Sequence, residues 1–404
     1  MKIGFVHPRY PSAEGTGATH SASQIVKGLA KSGHKVDVFC TREPKGKVEV
    51  PNINCYYLTG NSHHIHTDTR LNREIECRIE QLSEYDVVHS YLMPLIPSVS
   101  KVREETGVCS IVTLNAYKGV CPKNDLLYLG EDKCRRRSNI KCLKCIVQTG
   151  LREEKRYMYS TASRLFSLRL INDGKKKLEH ISGFQALSGH VKKTYVDFGF
   201  PKKRIKVIPN ILDEKFLVKH KSDFSKPFNI IYVGRLEKNK GVKMLPEIAS
   251  YLDNKSAFNF KLTVVGSGSY YINLKNDFEK KGVLSKTRME GQVSNNKLPS
   301  LYAEHDLFVY PGIWDEPFGR VLIESLAAGT PIVGANVGAF EDIVGSAGLA
   351  TEPKPEKIGE AIDRLVGSGK IKELANNTKT EARRFSQQKV IKEFEYFYEK
   401  TLSQ

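Results

Sequence analysis

Short apolar runs alternate with amphipathic stretches along most of the chain. Residues 2–7 form the first such run, and 35–40, 87–89, 110–114, 184–187 and 205–210 repeat it. Apolar runs of this length, bounded by polar turns, read as buried strands. Between the first two, residues 21–32 place Ile25, Val26, Leu29 and Ala30 at helical spacing, and Gly33 closes the helix. Strands alternating with helices predict a parallel sheet with crossover helices. After a polar stretch at 213–227 the pattern restarts at 230–234 and continues through 262–265, 307–310 and 332–334. A last helix, about 386–402, carries Val390, Phe394, Phe397 and Tyr398 on one face. The expected organisation is a first α/β domain over 1–212, a linker over 213–227, a second α/β domain over 228–385 and a terminal helix over 386–404. Residues 117–155 break the rhythm with cysteines and charges and read as an insertion in the first domain.

Charge changes this picture in one place. The chain of 404 residues carries a net charge of +18. Between Lys133 and Lys177 stand fourteen Lys and Arg against Glu153, Glu154 and Asp173. A field of this kind attracts phosphorylated substrates, anionic lipid headgroups or nucleic acid; a solvated basic helix is the plain alternative. The opening apolar run is too short for a signal peptide, and no segment nears the ~18–20 apolar residues of a membrane span. The expected location is cytoplasmic, including the cytoplasmic face of a membrane through the basic patch 133–177.

Eight cysteines are present, and four of them, Cys121, Cys134, Cys142 and Cys145, fall within 25 residues. Without an export signal a disulfide framework is not expected. Cys142 and Cys145 could grip one metal from a tight turn, with two further thiolates completing a tetrahedral structural zinc site. Free or regulatory thiols are the competing reading.

The second domain carries the chemistry. Val233-Gly234-Arg235-Leu236-Glu237-Lys238-Asn239-Lys240-Gly241 leaves a buried strand, so Arg235 and Lys240 sit where open α/β sheets bind ligands. A guanidinium and an ammonium suit a nucleoside diphosphate without a metal. Downstream, Glu316-Pro317-Phe318-Gly319-Arg320-Val321-Leu322-Ile323-Glu324 places one carboxylate in a Pro/Gly turn and a second two turns into an apolar helix. A helix start offers N–H groups and a positive dipole end to an anion. The helix around Glu324 is apolar, and an unpaired carboxylate there would be costly; a sugar diol or a neighbouring base would relieve it.

This segment resembles the E-x7-E signature of the retaining, nucleotide-sugar-dependent glycosyltransferases of the family 4 type, and the resemblance extends over nearly the whole chain. It implies the GT-B fold: two Rossmann-like α/β domains facing each other across a deep cleft, the terminal helix returning to the first. It implies that Arg235 and Lys240 neutralise the leaving diphosphate, that Glu316 holds hydroxyls of a hexose-type sugar, and that Phe318 and Gly319 offer backbone N–H groups. Glu324 would accept from the ribose. Gly291-Gln292-Val293 resembles the turn that contacts the base, a UDP-type donor being expected. Gly15-Thr16-Gly17 matches the glycine-rich loop approaching the donor phosphate, where glycine permits close backbone approach. No cofactor is expected for catalysis.

The chain departs from the family at Asn115, where many members carry a histidine. An amide can hold a sugar hydroxyl but is no base, which leaves the diphosphate itself as proton acceptor. His20 and His89 are substitute candidates on the acceptor side, as is His7. The acceptor is expected to be lipid-linked or an anionic glycan. A nucleotide-sugar epimerase or a catalytically altered homologue is the alternative enzyme reading. A nucleic-acid-binding protein would leave Arg235, Lys240, Glu316 and Glu324 without a role, so no nucleic-acid partner is expected.

Overall fold

A computed structural model describes residues 1–7, 17–40, 50–58, 66–130, 132–152, 157–219, 223–224 and 226–404, with backbone alone at 157–158. Gly15 lies outside the described residues. The chain divides into two compact units, Met1–Asn210 with Gln388–Gln404, and Ile211–Gln387.

The first unit is built on a seven-stranded sheet. Its strands are β1 (Lys2–Val6), β2 (Lys35–Cys40), β3 (Ile53–Tyr57), β4 (Val87–Ser90) and β5 (Cys109–Leu114). A small antiparallel pair, β6 (Leu127–Tyr128) and β7 (Asp132–Lys133), stands apart, and β8 (Gly183–Ala186) and β9 (Ile205–Val207) complete the main sheet. The order is β3-β2-β1-β4-β5-β8-β9, all parallel. The central strands are buried throughout, which is why they read as unbroken apolar runs. Along the edge strand β3 only Ile53 is buried, and exposed Asn54 and Tyr56 alternate with half-buried Cys55 and Tyr57. The helix Gln387–Leu402 packs on this unit, burying Val390, Phe394, Phe397 and Tyr398. Its Glu395 pairs with His34 at 3.0 Å. Phe397 lies against Gly183, where an added Cβ would meet the ring at 2.7 Å.

The segment between β5 and β8 holds the β6–β7 pair and the helices Asn139–Arg152 and Tyr157–Lys175. Cys142, Cys145, Ile146 and Gly150 of the former face inward.

The second unit has a six-stranded parallel sheet. Its strands are β10 (Phe228–Val233), β11 (Phe260–Val265), β12 (Thr287–Gly291), β13 (Leu307–Tyr310), β14 (Ile332–Ala335) and β15 (Gly348–Thr351). They lie in the order β12-β11-β10-β13-β14-β15. The order reverses direction between β10 and β13, which are paired through Ile230 with Leu307 and Ile231 with Phe308. Loops leaving the carboxyl ends of two such strands diverge and open a crevice. The edge strands β12 and β15 are half-exposed along their length.

Candidate active site in the second unit

The loop after β10 runs through Gly234 to Gly241, and the loop after β13 runs from Pro311 to Gly319. They meet. Gly241 adopts a left-handed φ of 72°, and a Cβ there would fall 1.7 Å from the Pro311 carbonyl oxygen. Only glycine satisfies both demands. Trp314 N donates to the Asn239 carbonyl at 3.3 Å. The loop after β14 closes on the same turn: Gly338 N donates to Asp315 Oδ1 at 3.1 Å and Ala339 N to the Glu316 carbonyl at 3.0 Å. Gly338, also left-handed, sits 2.4 Å in virtual-Cβ distance from Glu316 N. Three loops from three strands therefore hold the Glu316 backbone.

On this frame the Lys240 ammonium forms an ion pair with the Glu316 carboxylate. Both side chains are about four-fifths buried, at 17% and 21% exposure, so the pair is screened less than a surface one. The ammonium also lies 5.0 Å from the centre of the Trp314 ring, a cation–π contact. Arg235 is exposed at the mouth of the same loop. Its carbonyl accepts from the Tyr232 hydroxyl at 3.1 Å. Burial pushes the Tyr232 phenol well above its ordinary value; Glu316 pushes it further and Arg235 pulls it back. Both side chains thus act on one hydroxyl.

Glu324 is buried, at 8% exposure, on the helix Arg320–Ala327. Arg320, one turn earlier, lies 3.7 Å from its carboxylate. This supplies the neighbouring base that the apolar sequence context calls for. Behind it stands Tyr302, fully buried, whose hydroxyl has no hydrogen-bond partner among the described residues. Burial raises the Tyr302 phenol far above its ordinary value, with further increments from Glu324 and Tyr232. Glu316, Arg235, Tyr232, Tyr302 and Glu324 are therefore linked electrostatically, and Lys240 directly, within one region.

Phe318 turns into the core, edge-on to Phe385 at 5.7 Å. That leaves only its backbone for any ligand. Gly319, at φ 79°, precedes the helix as its N-cap residue. Gly291 ends β12 with φ 67°, and its carbonyl accepts from Gly266 N at 2.7 Å. Nothing lies within 4 Å of a Cβ built on Gly291, and Val293 follows half-buried. A separate cavity of about 830 Å³ lies at the opposite, amino-terminal edge of this sheet, lined by Phe228, Phe258 and Phe260 among others. It contains none of these residues, and the polar, charged region at the strand carboxyl ends is the better candidate.

In the first unit, Gly17 begins the helix Gly17–Lys31, on which His20 is half-buried. His7, after β1, is buried. The Asn115 amide donates to the Tyr91 carbonyl at 3.1 Å. His89 is a core residue. It is fully buried, with Nδ1 2.6 Å from the Tyr398 hydroxyl and Nε2 2.7 Å from Thr113 Oγ1. Burial lowers its pKa to about 3. With both ring nitrogens occupied it is withdrawn from the acceptor side.

The cysteines also correct an expectation. Cys142 and Cys145 stand on a continuous helix, not a tight turn. Leu129 N donates to Cys145 Sγ at 3.3 Å, and the Cys121 thiol approaches Asp125 Oδ1 at 3.7 Å. All four thiols are free. Burial raises the Cys142 thiol to about 11. Among the described residues no group of three or more His, Cys, Asp or Glu is placed to hold a metal ion.

Three site neighbours escaped the sequence reading. Trp314 is the single tryptophan of the chain, and it follows β13 by four residues; that was a usable signal. Arg320 and Glu324 stand at helical i,i+4 spacing. Tyr302 carried no signal, because its place behind Glu324 arises only from folding.

Comparison with known proteins bears on the family and the fold. The family described as glycosyltransferase family 4 matches residues 15–216, and glycosyl transferases group 1 matches residues 214–385. An uncharacterised glycosyltransferase of Methanocaldococcus jannaschii is 26% identical, covering 97% of this chain and 96% of its own length. The O-antigen chain mannosyltransferase B of Escherichia coli is 29% identical over 30% of this chain and 32% of its own. Among solved structures, Anabaena HepE in complex with UDP has a TM-score of 0.72 at 17% identity, covering 99% of this chain and all of that one. Sucrose-phosphate synthase of Thermosynechococcus elongatus has a TM-score of 0.73 at 18% identity, covering all of this chain and 99% of that one. The fold is that of the GT-B enzymes, and the chain belongs to the family 4, group 1 glycosyltransferases, which transfer sugar from a nucleotide sugar.

Proposed function

We propose that this enzyme moves a hexose-type sugar, with retention at the anomeric carbon, from a nucleoside diphosphate sugar to a hydroxyl of a lipid-linked or anionic glycan acceptor. The observation that carries the reading is the Lys240–Glu316 pair at the point where the second sheet reverses its strand order. A diphosphate competes with Glu316 for the Lys240 ammonium, and sugar hydroxyls compete with Lys240 for the carboxylate. One ion pair thus presets both halves of the donor contact.

As the bond between the sugar C1 and the diphosphate oxygen breaks, positive charge grows on the ring and negative charge on the leaving group. Lys240, Arg235 and the N–H groups opening the helix at Gly319 stabilise the latter. The acceptor oxygen bonds to C1 from the same face, and its proton passes to the departing diphosphate oxygen. Asn115, an amide, suits this route because the route asks no base of the protein. Glu324 with Arg320 receives the ribose, and the Gly291–Val293 turn the base. Two cations and the helix N–H groups face the diphosphate, and no metal is assigned to the reaction.

UDP is the first donor nucleotide to test, since HepE and S. aureus TarM were solved with it. An anionic acceptor is supported by a cavity of about 380 Å³ in the first unit, lined by Arg135, Arg136, Arg137 and Lys175. The test is a melting-temperature panel of UDP, GDP and ADP and their hexose conjugates, since a binder stabilises by mass action. Lys240→Ala or Glu316→Ala should lower sugar transfer by about a hundredfold or more while the fold persists. Near-normal turnover in both variants would remove the assignment.

A further inference from the structure

The helix Asn139–Arg152 has one face too many. Inward, Cys142 and Ile146 join Leu168 of the next helix in a small core. Outward, Ile140, Leu143, Val147 and Leu151 stand at 81%, 42%, 40% and 61% exposure. Their spacing of three, four and four draws one stripe along the helix axis. Tyr159, Leu165 and Phe166 of the following helix are exposed as well. Scattered apolar residues on a surface need no explanation, but an aligned stripe does.

The charges beside the stripe name its partner. Residues 133–152 contain seven Lys and Arg and no Asp or Glu. By helical geometry Lys144 adjoins the stripe, and Lys141 and Arg152 flank it on the same side. The Lys141 ammonium lies 4.9 Å from the Tyr128 ring centre and donates to the Arg136 carbonyl at 3.3 Å. A nucleic acid would use the cations and waste the stripe. A soluble protein groove would use the stripe but would have to match the cations with its own acids. The headgroup region of an anionic bilayer offers phosphate to the cations and acyl chain to the stripe, without shape matching.

We propose that the helix Asn139–Arg152 lies flat on an anionic lipid surface, with Ile140, Leu143, Val147 and Leu151 in the acyl boundary and Lys141, Lys144 and Arg152 among the headgroups. No helix among the described residues is long and apolar enough to cross a membrane, so the contact is interfacial. The surface extends the acceptor reading above but stands on its own residues.

The experiment is co-sedimentation of the full chain, without donor or acceptor, with vesicles of phosphatidylcholine alone and of phosphatidylcholine with about a third phosphatidylglycerol. The expected result is binding to the anionic vesicles, at least tenfold weaker to the neutral ones and weakened by salt. The Leu143→Ser/Leu151→Ser variant should lose at least tenfold in anionic-vesicle binding at unchanged melting temperature. Lys144→Glu/Arg152→Glu should remove the preference for anionic lipid. Absence of binding to anionic vesicles overturns the proposal, as does equal binding by the serine variant. Self-association that the serine variant abolishes would also overturn it, in favour of a second copy on this face. The nucleotide melting shift is read in the same variants. Its failure in the wild type would sink the donor reading without touching the membrane result.

Discussion

The loops of residues 234–241 and 311–319 and the segment of residues 115–152 are both rich in charge, yet they are built in opposite ways. In the former, cation and carboxylate are paired, mostly buried, and carried on backbone that glycines bring into contact. In the latter the cations stand on a thin layer of secondary structure. Its outer apolar side chains are exposed, and burial raises the Cys121 and Cys142 thiols above their ordinary range. Chemistry on a small charged ligand demands positions held to a fraction of an ångström, so backbone constraints multiply. Adhesion to a fluid surface demands only composition and facing, so they do not.

The largest effect expected from breaking this contrast is at Gly241. Alanine there places a methyl 1.7 Å from a carbonyl oxygen that cannot retreat, since the next turn is tied to the loop after β14. Gly241→Ala should lose transfer by about a thousandfold, more than Lys240→Ala, because it displaces Lys240 and Glu316 together. Steady-state kinetics with a soluble acceptor checks this; an alanine variant within tenfold of wild type would show that the loops do not lock each other.

A smaller effect belongs to Trp314. Replacing it by leucine removes the ring under the Lys240 ammonium, a contact of about 0.5–2 kcal/mol. A loss of roughly twofold to thirtyfold in kcat/KM is expected. An unchanged kcat/KM would mean that Glu316 alone orients the lysine.

The smallest sharpens the comparison by separating the core of the first unit from its outlying segment. His89 is held neutral in the fold, its pKa lowered to about 3 by burial. In the unfolded chain it takes up a proton near its ordinary value of about 6.5. Between those values the unfolded state binds one proton more, so stability falls as pH falls, by about 1.4 kcal/mol per pH unit at most. His89→Gln should flatten the decline in melting temperature between pH 6.5 and 5, whatever the overall stability of the variant. An identical acid slope in the variant would move that titration elsewhere.

Much of the fold was legible because parallel strands covered on both faces are continuous apolar runs. β4, β5, β10, β11, β13 and β14 stood out for this reason. Of the strands in the two main sheets, those that did not, β3, β12 and β15, lie at sheet edges, where exposure mixes polar residues into the run. β9, expected to extend over 205–210, ends at Val207, and Ile208 continues only through a bond from its N–H to the Ala186 carbonyl. The candidate site was legible only in part. Arg235, Lys240, Glu316 and Glu324 could be proposed from strand ends together with the family resemblance, but the pairing of Lys240 with Glu316, separated by 76 positions, could not.

The order of residues alone settled which side chains follow which strands, and therefore which end of each sheet carries charge, since local periodicity controls strand and helix formation. Which charges meet, which histidine is sealed in a core and which helix face is left uncovered were settled by tertiary packing. Those outcomes depend on contacts between elements far apart along the chain, and local periodicity does not encode distance across a fold.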